Sequence, residues 1–472
     1  MLRSRTLRLA FVTLTVAVAL ASVALPASAA NIILVNADPP GAGLNDPTPV
    51  APVGGNPGTT LGQQRINVYL LAADIWGQTL DSNSPVFVGA SFAALSCTPT
   101  SGTLGSAGTT FIFRNFPGAP LADTWYHSAL ADAIAGADLN PGFIDVNSRF
   151  NSRIGTDPGC LTGRNWYYGF DHQTGGDFDF LNVVAHEIGH GLGFSNFVNE
   201  STGALQSGFT DVFADLTYDV TTGKTWTVMT QAERAASAVN DRNVVWIGAE
   251  STAQAANLLD PRPSVVVLNP SALAGSVEVQ TAAFGPAIGG GGGTTGKVVV
   301  ADDGTGVASD GCEPLVGNVG ANNANGKIVL VDRGTCAFVL KVANAQAAGA
   351  KGVIVANNVP VGLPGMGGSD PSITIPSVGV TQGFGNELRA AAAGNTVVKL
   401  VLDGNELAGA VDGFVRIFAP NPVQGGSSGS HWDVTATPNL LMEPFINSDL
   451  RAVDTLDLSP ALMQDIGWVL LP

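Results

Sequence analysis

The run His186-Glu187-Ile188-Gly189-His190 places two imidazoles four residues apart, with a carboxylate beside the first. Residues four apart project from the same face of a helix, so His186 and His190 could bind one metal ion. Imidazole nitrogens are common zinc ligands, and zinc lowers the pKa of a bound water to about 7 in catalytic sites. Glu187 would lie beside the ion as a general base toward that water. The motif therefore predicts hydrolytic chemistry with one catalytic zinc ion.

A catalytic zinc site usually has three protein ligands and one open position. In the extended pattern HExxHxxGxxH the third histidine would fall at Asn196, a poor zinc ligand, although Gly193 is present at the turn position. Among the remaining histidines, His431 is a candidate that stands in Gly429-Ser430-His431-Trp432 shortly before Met442. A carboxylate from Glu200 or Asp211 is an alternative third ligand. That scheme would leave the glycine turn and the methionine segment without a role.

The remaining histidines, His127 and His172, have neighbourhoods that favour surface or hydrogen-bonding roles. Asp211 with Asp215, and the loop from Asp38 to Asp46, offer carboxylate oxygens as candidate calcium ligands, although no EF-hand spacing is present.

The segment Asn439-Leu440-Leu441-Met442-Glu443-Pro444 follows His431 closely. Together with the helix motif, it resembles the leishmanolysin and gametolysin branch of the metzincin zinc peptidases, in which an insertion separates the motif glycine from the third histidine. This resemblance implies a twisted mixed sheet with an active-site helix. It further implies the following roles: zinc ligands His186, His190 and His431, general base Glu187, turn glycine Gly193, and Met442 beneath the zinc.

The metal-binding residues require a helix, and Leu181 to Leu192 has suitable apolar positions, with Asp177 or Asp179 as the N-cap. Gly189 and Gly191 each cost about 1 kcal/mol of helix propensity relative to alanine, so we expect close packing at both.

Other elements are predicted upstream of this helix. Helical stretches are expected at 70–80 and 121–135, and residues 143–151 alternate as in a half-buried strand. The part from Asp145 to Asn151 is either an edge strand that pairs with an extended peptide or an ordinary buried strand.

His190 and His431 lie 241 positions apart, and the interval between them must contain a whole domain. Within this interval, Gly326 to Cys336 and Gly352 to Asn357 flank a predicted helix at 337–348. The pattern resembles the protease-associated (PA) domain. That resemblance implies a Cys312–Cys336 bridge and a role in substrate or partner binding, or in restricting access to the cleft, without chemistry of its own.

Composition limits the remaining possibilities. The net charge of −17 argues against nucleic acid, which requires clustered Lys and Arg. The four cysteines fall as Cys97 with Cys160 and Cys312 with Cys336, without a CxxC pair, and two disulfides in an oxidising compartment fit them. Three arginines, an apolar run and Ala27-Ser28-Ala29 are typical of a signal peptide, so we expect no stable membrane span after its cleavage.

These observations predict an α/β (α+β) chain with four parts: a signal peptide at 1–29, a peptidase domain at 30–262 and 411–472, and an inserted β-rich α/β PA domain at 263–410. The predicted function is a secreted zinc endopeptidase, extracellular or periplasmic, acting on protein or peptide substrates. Two alternatives remain: a non-catalytic secreted pseudo-peptidase that binds peptides or glycans through the PA domain, and a zinc amidase acting on other amides.

Overall fold

A computed structural model describes residues 28–289, 292–320 and 323–472, so the predicted signal peptide lies almost wholly outside the described residues. The helices are α1 (Leu61–Gly77), α2 (Ser128–Ala135), α3 (Phe180–Leu192), α4 (Val212–Leu216), α5 (Gln231–Ser237), α6 (Ala249–Leu258), α7 (Phe338–Ala347), α8 (Gln382–Ala392) and α9 (Ser459–Ile466). Single-turn 3-10 helices lie at Gly43–Asn45, Trp226–Val228, Ser271–Leu273 and Gly317–Val319.

The strands before the insertion are β1 (Ile32–Asn36), β2 (Leu80–Asp81), β3 (Val86–Ala93), β4 (Gly105–Thr109), β5 (Ile112–Phe113), β6 (Tyr126–His127), β7 (Val146–Asn151), β8 (Trp166–Tyr167), β9 (Phe178–Asp179), β10 (Thr217–Asp219), β11 (Lys224–Thr225) and β12 (Val244–Trp246). Those that follow are β13 (Pro261–Asn269), β14 (Gly275–Glu278), β15 (Gln280–Thr281), β16 (Thr294–Val300), β17 (Ile328–Asp332), β18 (Gly352–Ala356), β19 (Ser377–Val380), β20 (Val397–Leu407), β21 (Ala410–Val411), β22 (Phe414–Arg416) and β23 (Val469–Leu470). The chain is thus of mixed α/β type.

A four-stranded sheet of order β1-β3-β7-β4 supports the helix that carries the HExxH motif. Strands β1, β3 and β7 are parallel, and β4 pairs antiparallel with β7. Because β7 lies between β3 and β4, the interpretation of Asp145 to Asn151 as an edge strand is wrong. The strand beside α3 at the sheet edge is β4, a short run of small residues, Gly-Ser-Ala-Gly-Thr, that lacks the apolar alternation by which strands are recognised.

A second sheet, of order β11-β10-β12-β22-β21, is antiparallel and joins chain from both sides of the insertion. Strand β12 precedes the inserted segment and pairs with β22, which follows it. The chain therefore leaves and re-enters this body at neighbouring strands. This return brings residues after 411 back to the helix that carries the motif.

The inserted segment forms an eight-stranded sheet of order β14-β13-β20-β16-β17-β18-β19-β15. Its centre is parallel from β16 through β19, and the buried strands Ile328–Asp332 and Gly352–Ala356 are continuous apolar runs, as expected for strands covered on both faces. Its hydrophobic residues form clusters of their own, separate from the core that combines residues of the first 260 positions with those after 407. These separate cores support our proposal of an interrupted peptidase domain with an inserted domain.

Two predicted helices have different boundaries in the structure. Helix α1 begins at Leu61, because the Thr60 side chain accepts a hydrogen bond from Gln63 N, and it ends at Gly77. The predicted helix at 121–135 is helical only from Ser128, since the residues before it pair as strand β6 with β5.

Sulfur–sulfur bonds join Cys97 to Cys160 and Cys312 to Cys336. Among the helices of the described residues, none combines the length and hydrophobicity that a membrane span requires.

Close packing accounts for the glycine in the last turn of α3. A Cβ atom on Gly191 would lie 2.2 Å from Val146 Cγ1 on the underlying strand β7. We expect Gly191→Ala to lower the free energy of unfolding by about 1–3 kcal/mol through overpacking, although alanine is the better helix former.

Urea unfolding followed by tryptophan fluorescence measures this effect, because every tryptophan lies outside residues 263–410. Gly108→Ala is the control, since a Cβ atom there meets no heavy atom within 4 Å. Equal stability of Gly191→Ala and wild type would contradict the packing argument.

Candidate metal centre

Helix α3 is fixed at both ends and in its middle. Its N-cap is Asp179, whose carboxylate accepts a hydrogen bond from Leu181 N at 3.0 Å. The indole of Trp76 donates to Ala185 O at 2.9 Å, and that of Trp468 donates to Leu192 O at 2.9 Å. Every residue of the helix is buried. The fixed helix therefore presents the motif side chains in one defined orientation.

Three imidazoles meet at one point. His190 Nε2 lies 3.0 Å from His186 Nε2 and 3.2 Å from His431 Nε2. Candidate ligand atoms of all three histidines lie within 4.8 Å of one another, and all three residues are buried. The structure thus brings together the two histidines of the helix and the distant histidine that the sequence analysis selected.

The opposite ring nitrogen of each histidine is bonded to a backbone carbonyl. His186 Nδ1 lies 2.7 Å from Leu441 O, His190 Nδ1 lies 2.8 Å from Phe194 O, and His431 Nδ1 lies 2.8 Å from Ser427 O. A carbonyl only accepts, so Nδ1 carries the proton in each ring and Nε2 keeps its lone pair. Three lone pairs are therefore directed at one another.

Burial keeps these imidazoles neutral. It lowers the pKa of His186 to about 4 and that of His431 to about 3. Burial lowers the pKa of His190 well below its usual value, and the neighbouring His431 and His186 imidazoles lower it further, because a second positive charge there would be repelled. Neutral imidazoles are the form that binds a metal ion. Zn–N bonds of about 2.05 Å at tetrahedral angles require nitrogens about 3.3 Å apart, so the observed separations fit zinc.

Glu187 lies against the edge strand β4. A Cβ atom on Gly105 would lie 2.4 Å from Glu187 Oε1, so the missing side chain makes room for this carboxylate. Burial raises the pKa of Glu187 to about 8, while a hydrogen bond from the backbone of Ala107 lowers it. Its Oε2 atom is buried without a hydrogen-bond partner in the described residues. One carboxylate oxygen is thus available for a water or substrate proton.

Two further predicted site residues pack on α3. Met442 is fully buried, and a Cβ atom on Gly189 would lie 2.8 Å from its sulfur, which explains the second helix glycine. Gly193 ends the helix with φ 139°, and a Cβ atom there would lie 2.5 Å from Ile466 Cδ1. Positions 189 and 193 therefore need glycine, because Met442 and Ile466 pack too close for a Cβ atom.

The alternative carboxylate ligands have other partners. Asp211 is the N-cap of α4 and accepts hydrogen bonds from Ala214 N and Phe197 N. Glu200 Oε1 accepts a hydrogen bond from Asn196 Nδ2 at 3.2 Å. Neither belongs to the histidine group found among the described residues.

The other histidines form hydrogen bonds away from this group. His172 lies between Asp179 Oδ2, at 2.7 Å, and Ser448 O, at 3.1 Å. His127 is fully buried, which excludes a surface role, and its Nε2 lies 2.8 Å from Ser195 Oγ.

Sequence reasoning did not identify Gly105, Trp76 or Trp468, which shape and hold the site. Each lies far along the chain from the HExxH motif, and a lone glycine or tryptophan has no spacing that links it to a histidine. No local pattern in the sequence signals these contacts.

The inserted domain has a cavity of about 510 Å³ at the carboxyl ends of its parallel strands. Polar side chains line much of it, among them Arg333, Asn357 and Arg389. Arg333 donates to Asn357 Oδ1 at 2.9 Å, and Arg389 pairs with Asp332. Ligands of open α/β sheets often bind at this edge.

Comparison with known proteins identifies part of this chain. Residues 294–388 match the family model of the PA domain, so the chain contains a PA domain. Vacuolar-sorting receptor 3 of Arabidopsis thaliana is 47% identical over 87 residues, which cover 16% of this chain and 14% of the receptor. Leucine aminopeptidase 2 of Trichophyton rubrum is 43% identical over 75 residues, covering 16% of this chain and 15% of the enzyme. The chain thus matches only about a seventh of these relatives' length.

Solved structures give a similar result. An aminopeptidase from Aneurinibacillus sp. strain AM-1 is 27% identical, with 31% of each chain covered and a TM-score of 0.24. A zinc aminopeptidase from Bacillus subtilis is 19% identical, with 43% of each chain covered and a TM-score of 0.22. A subtilisin-like protease from Pseudoalteromonas sp. AS-11 is 22% identical, with 31% of this chain and 34% of the protease covered and a TM-score of 0.22. These scores carry no argument about the fold.

The expected membership in the leishmanolysin and gametolysin branch of the metzincins is wrong. The matched relatives are leucine aminopeptidases and vacuolar-sorting receptors, and the family model that matches is that of the PA domain. An HExxH helix occurs in many zinc hydrolases, and a PA domain occurs in both peptidases and receptors, so their combination does not specify that branch.

The segment around Met442 contains a buried acid that makes its stability depend on pH. Glu443 is 1% exposed and accepts hydrogen bonds from Leu440 N at 2.9 Å and Asn447 Nδ2 at 3.1 Å. Burial raises its pKa to about 8, and the neighbouring acids Asp433, Asp457 and Asp449 add to the shift. The folded state therefore holds this proton more tightly than the unfolded state, whose pKa is near the ordinary value of 4.5.

We expect the contribution of Glu443 to stability to be lost as pH rises from about 4.5 to 8, since each pKa unit corresponds to about 1.4 kcal/mol. Glu443→Gln should therefore gain stability relative to wild type at pH 9 and much less at pH 5. Urea unfolding at both pH values measures the difference. A gain that is equal at the two values would exclude a titration effect.

Proposed function

We propose that this chain is a secreted zinc-dependent endopeptidase with His186, His190 and His431 as its zinc ligands. The convergence of three unprotonated Nε2 atoms carries this proposal, since that of His190 lies 3.0 Å from that of His186 and 3.2 Å from that of His431. Such an arrangement is unfavourable without a cation, and its donor set is that of hydrolytic zinc sites with an open fourth position. The peptidase relatives of the PA domain agree with a hydrolase.

The proposed hydrolysis uses the zinc ion and the carboxylate of Glu187. When bound, zinc would polarise the scissile carbonyl and acidify the attacking water. In its ionised form, which a nearby zinc cation would favour, Glu187 accepts the proton of that water through its unpartnered oxygen and then delivers it to the leaving amine. Burial of the carboxylate excludes bulk water that would compete for this proton. Met442, packed beside Gly189, supports the helix face between the two histidines.

The edge strand β4 is the proposed substrate-binding strand. It is the outer strand of its sheet, it packs beside α3, and its residue Gly105 lies against Glu187. An extended peptide that added to this edge would form backbone hydrogen bonds whatever its side chains. Pairing of this kind suits cleavage within a chain.

The PA domain supports a second candidate function. Its polar cavity of about 510 Å³ could bind peptides or glycans without catalysis, either in a pseudo-peptidase or to recruit substrate to the peptidase domain. We favour recruitment or control of access, because the buried histidine group and Glu187 have no role in a protein that only binds.

The first test compares zinc content and casein cleavage of wild type, His431→Ala and Glu187→Gln. Wild type should hold one zinc ion and cleave casein. His431→Ala should lose both properties, because two imidazoles remain. Glu187→Gln should keep zinc and lose about 10²–10⁴-fold in kcat/KM, since only the base is removed. Zinc and activity retained by His431→Ala would refute the ligand set, and a wild type without zinc would favour the binding protein.

A second test separates internal cleavage from removal of terminal residues. An endopeptidase that binds its substrate along β4 should cleave a peptide with an acetylated N-terminus about as fast as the free peptide. Mass spectrometry of the products locates the cleaved bond. Cleavage of the free peptide alone, one residue from its N-terminus, would show an aminopeptidase instead.

A further inference from the structure

Asn196 lies just after the turn that ends α3, in contact with the loop that carries the third histidine. Its Nδ2 donates to Gly429 O at 3.0 Å and to Ser430 Oγ at 3.1 Å. Its backbone N–H also donates to Ser430 Oγ, at 3.3 Å. The two acceptor residues directly precede His431. Asn196 thus links the end of the metal-binding helix to this loop across a sequence separation of 233 residues.

The orientation of the Asn196 amide is fixed. Its Oδ1 accepts a hydrogen bond from Val198 N at 2.7 Å, so Nδ2 must face the loop. Nδ2 also donates to Glu200 Oε1 at 3.2 Å, so a carboxyl oxygen lies beside this donor. Aspartate could not replace this side chain, because it has no donor and would face the Glu200 carboxylate.

The loop is shaped for this contact. Gly429 has φ +71°, and a Cβ atom there would lie 2.9 Å from Asn196 Nδ2. Glycine therefore allows both the left-handed backbone and the close approach of the amide. Apart from the approach of its Nε2 to His190, the polar contacts of His431 found in the described residues, Nδ1 with Ser427 O and its carbonyl with Phe418 N, join residues that follow the insertion.

We propose that Asn196 is a positioning residue for the third zinc ligand: it holds the 429–431 loop so that His431 Nε2 meets the two imidazoles of α3. This inference rests on the proposed zinc site. The position of Asn196 near the motif thus serves the metal indirectly, through the loop. Second-sphere contacts of this kind typically change metal affinity about 10- to 100-fold when removed.

The test measures metal binding of the full chain with zinc and with cobalt, whose visible absorption reports ligand geometry. Asn196→Ala should bind zinc about 10- to 100-fold more weakly in competition with a chelator, and its cobalt spectrum should change in shape and intensity. Its kcat should fall more than its KM changes, because the helix and β4 are intact.

Asn56→Ala is the matched control. Asn56 likewise accepts from the N–H two residues ahead, at 3.1 Å, and its Nδ2 donates to Gln64 O and Tyr168 O, none of which touches the histidine group. This variant should lose thermal stability but keep the zinc affinity and the cobalt spectrum of wild type. A merely structural role of Asn196 would give the same pattern for both variants and would overturn the proposal.

Two further outcomes are informative. If Asn196→Ala does not fold, Ser430→Ala is the second variant, because it removes the hydroxyl contacts and keeps the hydrogen bond to Gly429 O. Its cobalt spectrum should change in the same direction by a smaller amount. An unchanged cobalt spectrum of Ser430→Ala would count against the inference. If wild type binds cobalt but cleaves nothing while Asn196→Ala shifts the spectrum, positioning stands and the peptidase function falls.

Discussion

The close approach of three neutral imidazoles is the constraint on which the rest of the described structure depends. Their Nε2 atoms lie 3.0 and 3.2 Å apart along the group, although lone pairs repel one another and burial removes the solvent that would screen them. Each ring must therefore be held from behind, and a backbone carbonyl does so at each Nδ1. The fold supplies these three carbonyls from separate segments, at Leu441, Phe194 and Ser427.

The inserted domain makes this constraint harder to meet, because His190 and His431 are 241 residues apart. The antiparallel pairing of β12 with β22 returns the chain to its point of departure, so the insertion adds length without separating the two sides. The ion pair of Arg416 with Glu278 lies at the same junction and fixes the inserted sheet to the returning strand. The position of the third histidine therefore depends on the packing of its own loop and on the pairing of β22 with β12.

The sequence predicts those parts of the fold and the site that depend on residues close together in the chain. The HExxH helix and the buried strand at 352–356 follow from short patterns of residue type and period, and the PA domain follows from a resemblance in sequence. The sequence leaves the cap of the helix open between Asp177 and Asp179, and the structure places it at Asp179. The resemblance to one peptidase branch misleads, because those same patterns recur in unrelated proteins. The helix predicted at 121–135 is partly wrong, since pairing with β5 overrides local helical preference.

The sequence by itself determined the residue types that can hold zinc, the helix that pairs two of them, the presence of the inserted domain and the acidic character that argues against nucleic acid. Only the tertiary structure decided that His431, one of several candidates, lies against the two helix histidines, that β4 rather than β7 forms the sheet edge, that Gly105 lies against Glu187, and that Asn196 contacts the loop before His431. The physical reason is range: helix periodicity acts over a few residues, whereas these contacts join segments tens to hundreds of residues apart and depend on which surfaces pack together.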